Sequence, residues 1–172
     1  MIKVSIIVIN YQGSDFVTHC LKAKEGQSFN GFEILIIDNA SSDSSLDEID
    51  RFLKTSPLSS SRGLIPLNTN MGFSGGNLEG LKHASGEYIA LLNSDTDPDK
   101  KWLEELVMSM DNDPEVGICA SKLLVHGADI IDSAGDGFSF LLKGFKRGEG
   151  EKAFLHNKEE YIFGAYAGGG SL

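Results

Sequence analysis

Two aspartates, Asp95 and Asp97, come directly after an apolar run of this 172-residue chain. Carboxylates separated by one residue at a strand end can both reach one hard cation, and Mg²⁺ and Mn²⁺ prefer oxygen ligands. A structural role is equally possible, because Asp97 precedes Pro98 and is a good cap for a helix that begins there. These residues alone leave both interpretations open.

Three other polar stretches could belong to the same site. Asn10 and Tyr11 follow the first apolar run, and Asp38 ends the second, where its carboxylate could accept a hydrogen bond from a base or a ribose. Turn chemistry also explains Asp38, since Asp-Asn-Ala-Ser-Ser is a natural loop. The stretch NTNMGFSGGN (68–77) contains glycines, which allow close backbone approach to a diphosphate or sugar, or tight helix–sheet packing.

Strands and helices that alternate along the chain must position these residues. The apolar runs at 3–9, 32–38 and 87–93 are typical of strands buried on both faces, and apolar residues recur at helical spacing between them. This alternation predicts an α/β fold with a mostly parallel central sheet flanked by helices. In such sheets ligands bind beyond the carboxyl ends of the strands, where the polar stretches lie.

The remaining segments predict less regular structure. Residues 116–125 have the composition of a further strand, and 127–154 predict hairpins or a flexible flap because short apolar pieces alternate with glycines. The Ser-rich stretch 55–63 is expected to be an exposed loop. The glycine-rich end, 160–172, predicts a strand or a turn, and we expect the chain to be truncated there.

Composition excludes some classes of partner. Fifteen basic against 25 acidic residues give a net charge of −10, which argues against nucleic acid binding. An anionic ligand would then need a bridging divalent cation. Cys20 and Cys119 have no nearby partner in the sequence, and no apolar run approaches the ~18 residues of a transmembrane segment. We expect a cytoplasmic protein that could work at the inner face of the cell membrane.

The four segments, in this order and spacing, resemble the family 2 inverting glycosyltransferases. The segments are VSIIVINYQGSDFVTHCLKA, ILIIDNASSDSS, NTNMGFSGGN and ALLNSDTDPDKKWL. The last two are similar to the rhamnosyltransferase-like branch. The resemblance covers about residues 3–110 and is looser from 111 on. It implies a Rossmann-like GT-A fold in one domain, 1–172, with a nucleotide-sugar-binding half at 1–110 and the start of an acceptor-side half at 111–172.

The resemblance also implies a role for each matching residue. Asn10 and Tyr11 would lie beside the base of a nucleotide-diphosphate sugar, and Asp38 would contact that base. Asp97 would be the better direct ligand of Mg²⁺ or Mn²⁺, and Asp95 would lie nearer the ribose. The residues expected to border the ribose, diphosphate or sugar are Asn70, Gly72, Phe73, Gly76 and Asn77.

The implied reaction transfers a sugar from a dTDP- or UDP-sugar to a glycan or lipid-linked acceptor with inversion, and branch similarity suggests rhamnose. Inverting transfer needs a general base, which the resemblance implies lies beyond Leu172. The alternative is a non-catalytic fragment that binds the nucleotide sugar. An unrelated doubly wound domain, such as a phosphoacceptor receiver, would leave the glycine-rich stretch without a role. The chain has neither a P-loop motif nor a dinucleotide-binding fingerprint.

Overall fold

A computed structural model describes residues 2–56, 62–139, 141, 143–158 and 170–171. The first half of the described chain alternates strands and helices: β1 (Val4–Asn10), α1 (Ser14–Glu25), β2 (Phe32–Asp38), α2 (Ser45–Thr55), β3 (Arg62–Pro66), α3 (Gly72–Leu81), β4 (Tyr88–Asn93) and α4 (Trp102–Asn112). Short elements follow: β5 (Leu123–Leu124), β6 (Ile131–Ser133), β7 (Asp136–Phe138), β8 (Gly144–Lys146), a 3₁₀ helix (Ala153–His156) and β9 (Gly170–Ser171).

The central sheet has the strand order β3-β2-β1-β4-β9. The first four strands run parallel, and β9 pairs antiparallel with β4. Asn10 pairs with Asp38, and Ile9 pairs with Asn93, so the carboxyl ends of the three central strands are level. The predicted α/β architecture with a parallel sheet flanked by helices is therefore confirmed.

Two apolar layers cover the sheet. On one face, side chains of α1, α2 and α4 pack with Ile6, Ile34 and Ile36 in the larger core cluster. The other face presents Ile7 and Ile37, which α3 covers. Burial on both faces explains why β1 and β2 have almost uninterrupted apolar sequences.

Helix α3 lies unusually close to the sheet because glycines face it. A Cβ atom at Gly80 would lie 2.7 Å from Ile7 Cγ2, and one at Gly76 would lie 3.1 Å from Ile9 Cδ1. Gly72, at the start of the helix, has a φ of +70°, which side-chain-bearing residues rarely adopt. The packing explanation is therefore correct for Gly76 and Gly80, whereas Gly72 meets a conformational need, and neither explanation competes with a nearby ligand.

The strand predicted at 116–125 is wrong over most of its length. Only Leu123 and Leu124 form a strand there, and they pair with β6 outside the central sheet. Ile118, Leu124 and Val125 of this run are exposed instead, with Ile118 at 62%, whereas Cys119 packs against the larger core cluster. The predicted hairpins are observed as β5–β6 and β7–β8.

The sequence interpretation missed β3, which falls partly in the predicted Ser-rich loop. It is a short edge strand that ends at Pro66, and edge strands tolerate proline because one side of the strand needs no hydrogen-bond donor. Three predictions lie outside the described residues. They concern residues 57–61 of the Ser-rich loop, most of the glycine-rich end at 160–172 and the general base expected beyond Leu172. Of the helices that the structure describes, none is sufficiently long and apolar to cross a bilayer.

Candidate functional site

The ends of β1 and β2 meet in a buried polar network. Asn10 Nδ2 donates to Asp38 Oδ1 at 2.7 Å, and these residues are 1% and 2% exposed. Ser41 closes the network, since its hydroxyl donates to Asp38 Oδ1 at 2.7 Å and its backbone N–H donates to Asp38 Oδ2 at 3.0 Å. Two of the three residues predicted to lie at a nucleotide base, Asn10 and Asp38, are therefore hydrogen-bonded to each other.

The sequence interpretation named the stretch that contains Ser41 but gave that residue no part in the site. Its hydroxyl also accepts hydrogen bonds from Gln12 N–H at 2.9 Å and Asn10 Nδ2 at 3.2 Å. Gln12 and Ala40 both have positive φ, 51° and 61°, so the two loops turn sharply around this hydroxyl. A serine three residues after an aspartate at a strand end is a signal that could have predicted the bond, because Asp side chains often bond nearby backbone N–H groups.

One hydrogen-bond acceptor of this network has no partner among the described residues. Asn10 Oδ1 is buried and accepts no hydrogen bond from the residues that the structure describes. Buried polar atoms without a partner are uncommon and costly. Tyr11, by contrast, is 51% exposed and sits beside the network at the surface. The edge therefore combines a rigid polar floor with an exposed aromatic ring.

A second network connects β2 to the loop before α3. Asn39 donates from Nδ2 to Asn70 Oδ1 at 3.0 Å and to the Gly72 carbonyl at 3.2 Å. Its Oδ1 accepts the Met71 N–H at 2.8 Å. Asn39 had not been selected as a site residue, because nothing local in the sequence indicates contacts with residues more than 30 positions away.

The remaining predicted residues of the glycine-rich stretch lie within α3. Phe73 is 44% exposed near the start of the helix, whereas Gly76 packs on β1 as described above. Asn77 is buried, and its Nδ2 donates to the Phe73 carbonyl at 3.0 Å. Of these three residues, Phe73 is thus the one with a surface available to a ligand, while Gly76 and Asn77 are buried and hold the helix in place.

Asp95 and Asp97 follow β4 on an exposed loop. Neither carboxylate forms a hydrogen bond or ion pair with any residue that the structure describes. The loop itself is ordered by Thr96, whose N–H and hydroxyl both donate to the Asn93 carbonyl. Both aspartates line a wide groove that continues along α4 and past residues 116–135 to 156–158.

The predicted cap at Asp97 is wrong. Helix α4 begins at Trp102 and not at Pro98, and the Trp102 N–H bonds to the Asp99 carbonyl. Gln27, from the α1–β2 connection, supplies the side-chain contacts instead. It accepts the Leu103 N–H at 3.2 Å and donates to the Asp99 carbonyl at 2.7 Å. Pro98 thus belongs to the turn before the helix, and the Asp97 carboxylate does not cap α4.

The donor chemistry of this loop fits a hard divalent cation. Among the described residues, no three His, Cys, Asp or Glu side chains are grouped closely enough to hold a metal ion by themselves. Mg²⁺ is typically bound by one or two carboxylates together with water and substrate phosphates. Two unengaged carboxylates on an open groove match that pattern, so Asp95 and Asp97 could hold a metal that a phosphate ligand completes.

The carboxylate of Glu48 connects the starts of α1 and α2 beside the site. Glu48 of α2 accepts hydrogen bonds from the hydroxyls of Ser14, at the start of α1, and Ser44. These bonds, that of Ser14 first, hold the pKa of Glu48 below its ordinary value. The carboxylate therefore stays ionised at neutral pH and keeps the starts of α1 and α2 together.

The curated proteins that this chain resembles carry the name glycosyltransferase or that of a particular glycosyltransferase. The curated relative TarS of Staphylococcus aureus (strain Mu50 / ATCC 700699), a poly(ribitol-phosphate) beta-N-acetylglucosaminyltransferase, is 29% identical over 114 residues, which cover 64% of this chain and 19% of TarS. Three other bacterial relatives are covered over 33–38% of their length, so the chain spans little more than a third of them.

Two solved structures share the fold. The mannosyltransferase PcManGT from Pyrobaculum calidifontis, in complex with GDP-Man and Mn²⁺, superposes with a TM-score of 0.65 at 24% identity, over 70% of this chain and 36% of that one. S. aureus TarS 1-349 in complex with UDP-GlcNAc gives a TM-score of 0.65 at 24% identity, over 82% and 41%. The family model "Glycosyl transferase family 2" matches residues 5–159. This match covers most of the sequence, and the chain belongs to glycosyl transferase family 2.

Proposed function

We propose that this chain is the donor-binding part of a glycosyltransferase that moves a sugar from a nucleotide-diphosphate donor to a glycan or lipid-linked acceptor with inversion. The observation that carries the proposal is the meeting of four polar segments at one edge of the sheet. Asn10 and Asp38 form its floor, and the loops before α3 and after β4 flank it.

The base and ribose are assigned to the floor. The Asp38 carboxylate accepts three hydrogen bonds from protein groups, so its position is fixed before any ligand arrives. A preorganised acceptor of this kind suits the imide N–H of uracil or thymine, which supports a UDP- or dTDP-sugar. Tyr11 offers an exposed ring face on which a base can stack.

The diphosphate and sugar are assigned to the loop before α3 and to the acidic loop. Asn70, Gly72 and Phe73 are exposed where α3 begins, and Gly76 and Asn77 support them from within that helix. Asp95 and Asp97 would hold Mg²⁺ or Mn²⁺, with Asp97 as the direct ligand and Asp95 nearer the ribose. When bound, that cation would offset the negative charge of the leaving diphosphate. The presence of Mn²⁺ with GDP-Man in PcManGT supports this assignment.

The finer features of the proposal come from the sequence. These are a rhamnosyl donor, a nucleotide-sugar-binding half at 1–110, an acceptor-side half from 111 and work in the cytoplasm or at the inner face of the membrane. The groove that begins at Asp95 and Asp97 extends along residues 116–135, which supports the acceptor-side assignment.

Isothermal titration calorimetry would test the proposal. UDP, dTDP and GDP and their sugars are titrated into the protein with Mn²⁺ and with a chelator. We expect one nucleotide to bind at least tenfold more tightly with Mn²⁺. Binding of none of them under either condition would contradict the proposal. Sugar nucleotide that binds but is neither hydrolysed nor transferred in a product assay would support the non-catalytic alternative.

A pair of variants makes the test specific to the acidic loop. Asp97→Asn removes one proposed ligand charge, and Asp129→Asn makes the same change at an exposed residue farther along the same groove. We expect only Asp97→Asn to abolish the increase in nucleotide affinity that Mn²⁺ gives. Equal effects of the two would show that overall groove charge, and not a metal ligand, determines affinity.

A further inference from the structure

The carboxamide of Asn39 is one of the best-satisfied polar groups at the proposed donor site, although no ligand role was assigned to it. We propose that Asn39 is a positioning residue: it fixes the carboxamide of Asn70 so that Asn70 offers only its NH₂ group to the diphosphate or sugar of the donor. The inference rests on the proposed function and adds a specific hydrogen-bond polarity to that site.

Asn39 joins three segments of the site. Its backbone N–H donates to the Asn10 carbonyl at 2.8 Å, which connects it to the end of β1. It directly follows Asp38, and its side chain reaches the loop before α3 through the three bonds described above. Because the residue is 2% exposed, water does not compete for these bonds.

The chemistry of the partners fixes the orientation of both carboxamides. The backbone N–H groups of Met71 and Gly72 can only donate, so the atoms that they meet must be oxygens. These oxygens are Asn39 Oδ1 and Asn70 Oδ1, at 2.8 Å in each case. The Nδ2 group of Asn39 must then face Asn70 Oδ1, as observed.

The oxygen of Asn70 is therefore saturated. It accepts one hydrogen bond from Asn39 Nδ2 and one from the Gly72 N–H, which fills both lone pairs. The NH₂ group of Asn70 donates to no acceptor in the described part of the chain, and the residue is exposed. What Asn70 offers to a ligand is thus a pair of donors, which match phosphate oxygens and sugar hydroxyls.

An aspartate at position 39 would disrupt this polarity without changing the side-chain shape. The introduced carboxylate can still accept the Met71 N–H, but its second oxygen faces Asn70 Oδ1 and the Gly72 carbonyl, which only accept. Asn70 would then either keep its oxygen against this carboxylate or turn its NH₂ group inward, and the second arrangement removes the acceptor of the Gly72 N–H and presents the oxygen to the ligand. That oxygen would repel a diphosphate.

The test compares variants in nucleotide binding and in hydrogen exchange. Asn39→Asp is titrated with UDP and dTDP in the presence of Mn²⁺, and amide exchange over residues 68–77 is followed without nucleotide. We expect about tenfold weaker binding, since one poorly matched buried hydrogen bond costs about that factor, and faster exchange at the loop. Asn70→Asp removes the NH₂ group at an exposed position while keeping an oxygen for Asn39 Nδ2 and the Gly72 N–H, and it should weaken binding at least as much.

Two controls separate positioning from folding stability. Asn30→Asp makes the same chemical change at an exposed residue before β2, at the opposite edge of the sheet. Ser5→Ala breaks a buried network at that same opposite edge, where Ser5 Oγ accepts the Gly86 N–H at 2.8 Å. We expect the Ser5 variant to lower the melting temperature while leaving nucleotide affinity within twofold of the wild type.

The outcomes distinguish the inference from the proposed function. Wild-type binding with unchanged affinity in Asn39→Asp and Asn70→Asp would overturn the inference alone. Unchanged loop exchange in Asn39→Asp would also overturn it, whatever the nucleotide result. If the wild-type protein binds no nucleotide, the proposed function fails and the role of Asn39 in donor binding fails with it.

Discussion

At the scale of single residues, the proposed site contains side chains that hydrogen-bond to one another and two carboxylates that form no hydrogen bond with the described residues. Asn10, Asp38 and Ser41 share a closed set of hydrogen bonds, whereas Asp95 and Asp97 have unengaged carboxylates. Satisfied buried groups give rigidity, and unengaged exposed charges are available to a ligand. In the proposed site, the hydrogen-bonded groups therefore form a fixed floor for the base, and the two unengaged carboxylates are available to a cation.

The freedom of Asp97 leads to a prediction about stability. We expect Asp97→Ala to change the free energy of unfolding by less than about 0.5 kcal/mol, as is usual for exposed positions without a cap or a buried partner. Denaturant unfolding measures this quantity, and calorimetry with Mn²⁺ and nucleotide measures the loss of metal-dependent binding. A loss of about 1 kcal/mol in stability would instead indicate that Asp97 does cap a helix in solution.

Sequence reasoning reached the residues that lie at strand ends and missed those that act through distant partners. Asn10, Asp38 and Asp95 follow apolar runs, and that position identifies them without any structure. Asn39 and Gln27 bond to residues 31 to 76 positions away in the chain. Such contacts depend on how the helices and strands pack, so no local pattern could predict them.

At the scale of secondary-structure elements, the close contact of α3 with the sheet shapes the proposed site. Its glycines leave no room for a methyl group over Ile7, so the helix and the loop before it lie close against the strand ends. The start of α3 carries Phe73 and follows Asn70, both assigned to the donor. The distance between helix and sheet therefore sets the depth of the proposed diphosphate site.

A glycine replacement tests this contact. We expect Gly80→Ala to lower the free energy of unfolding by about 1–3 kcal/mol, because the added Cβ would overlap Ile7 Cγ2 and packed cores tolerate extra volume poorly. Gly117→Ala is the matched control, since a Cβ at that position meets nothing within 4 Å. Urea unfolding of both variants gives the comparison. Similar midpoints for the two would mean that α3 can move away from the sheet at little cost.

The elements predicted from the sequence were those with a long apolar run or with apolar residues at helical spacing. The three apolar runs became β1, β2 and β4, since burial on both faces leaves a long apolar signal. Prediction was poorer after α4, where the strands are two or three residues long and lie in small two-stranded sheets. Leu124 and Phe145 in these strands are exposed while Ile131 is buried, so composition there does not distinguish a core strand from a surface loop.

At the scale of the whole molecule, several carboxylates have a lowered pKa, and this gives stability a defined pH dependence. Burial alone would raise the pKa of Glu33, but hydrogen bonds from Ser5 and Ser85 lower it below its ordinary value of 4.5. The pKa of Asp111 is also lowered, mainly by Tyr88 and Lys3. An acid with a lowered pKa in the folded state stabilises the fold above its unfolded pKa.

The predicted consequence is a loss of stability in acid. The contribution of Glu33 should be complete at pH 7 and should decline as the pH falls below about 4.5 and through the lower pKa of the folded state. We expect Glu33→Gln to lower the melting temperature at pH 7 and to differ less from the wild type at pH 3.5. Glu149→Gln, an exposed change of the same charge, is the control. A difference that stays constant across this range would show that lost packing, and not ionisation, explains the effect.

The strand order determines when, during its synthesis, the chain can first form the proposed donor site. Val4 of the central strand pairs with Tyr88, and that strand also provides the floor residue Asn10. The acidic loop follows β4, so during synthesis on a ribosome the β1–β4 pairing and the acidic loop must wait for residues near 100 to emerge, whereas β1 and β2 can pair earlier. Contacts so distant in the chain close slowly, because a long loop must be ordered first. A nascent chain of half this length would have β1 and β2 but no complete donor site, and ligand could therefore stabilise only the later stages of folding.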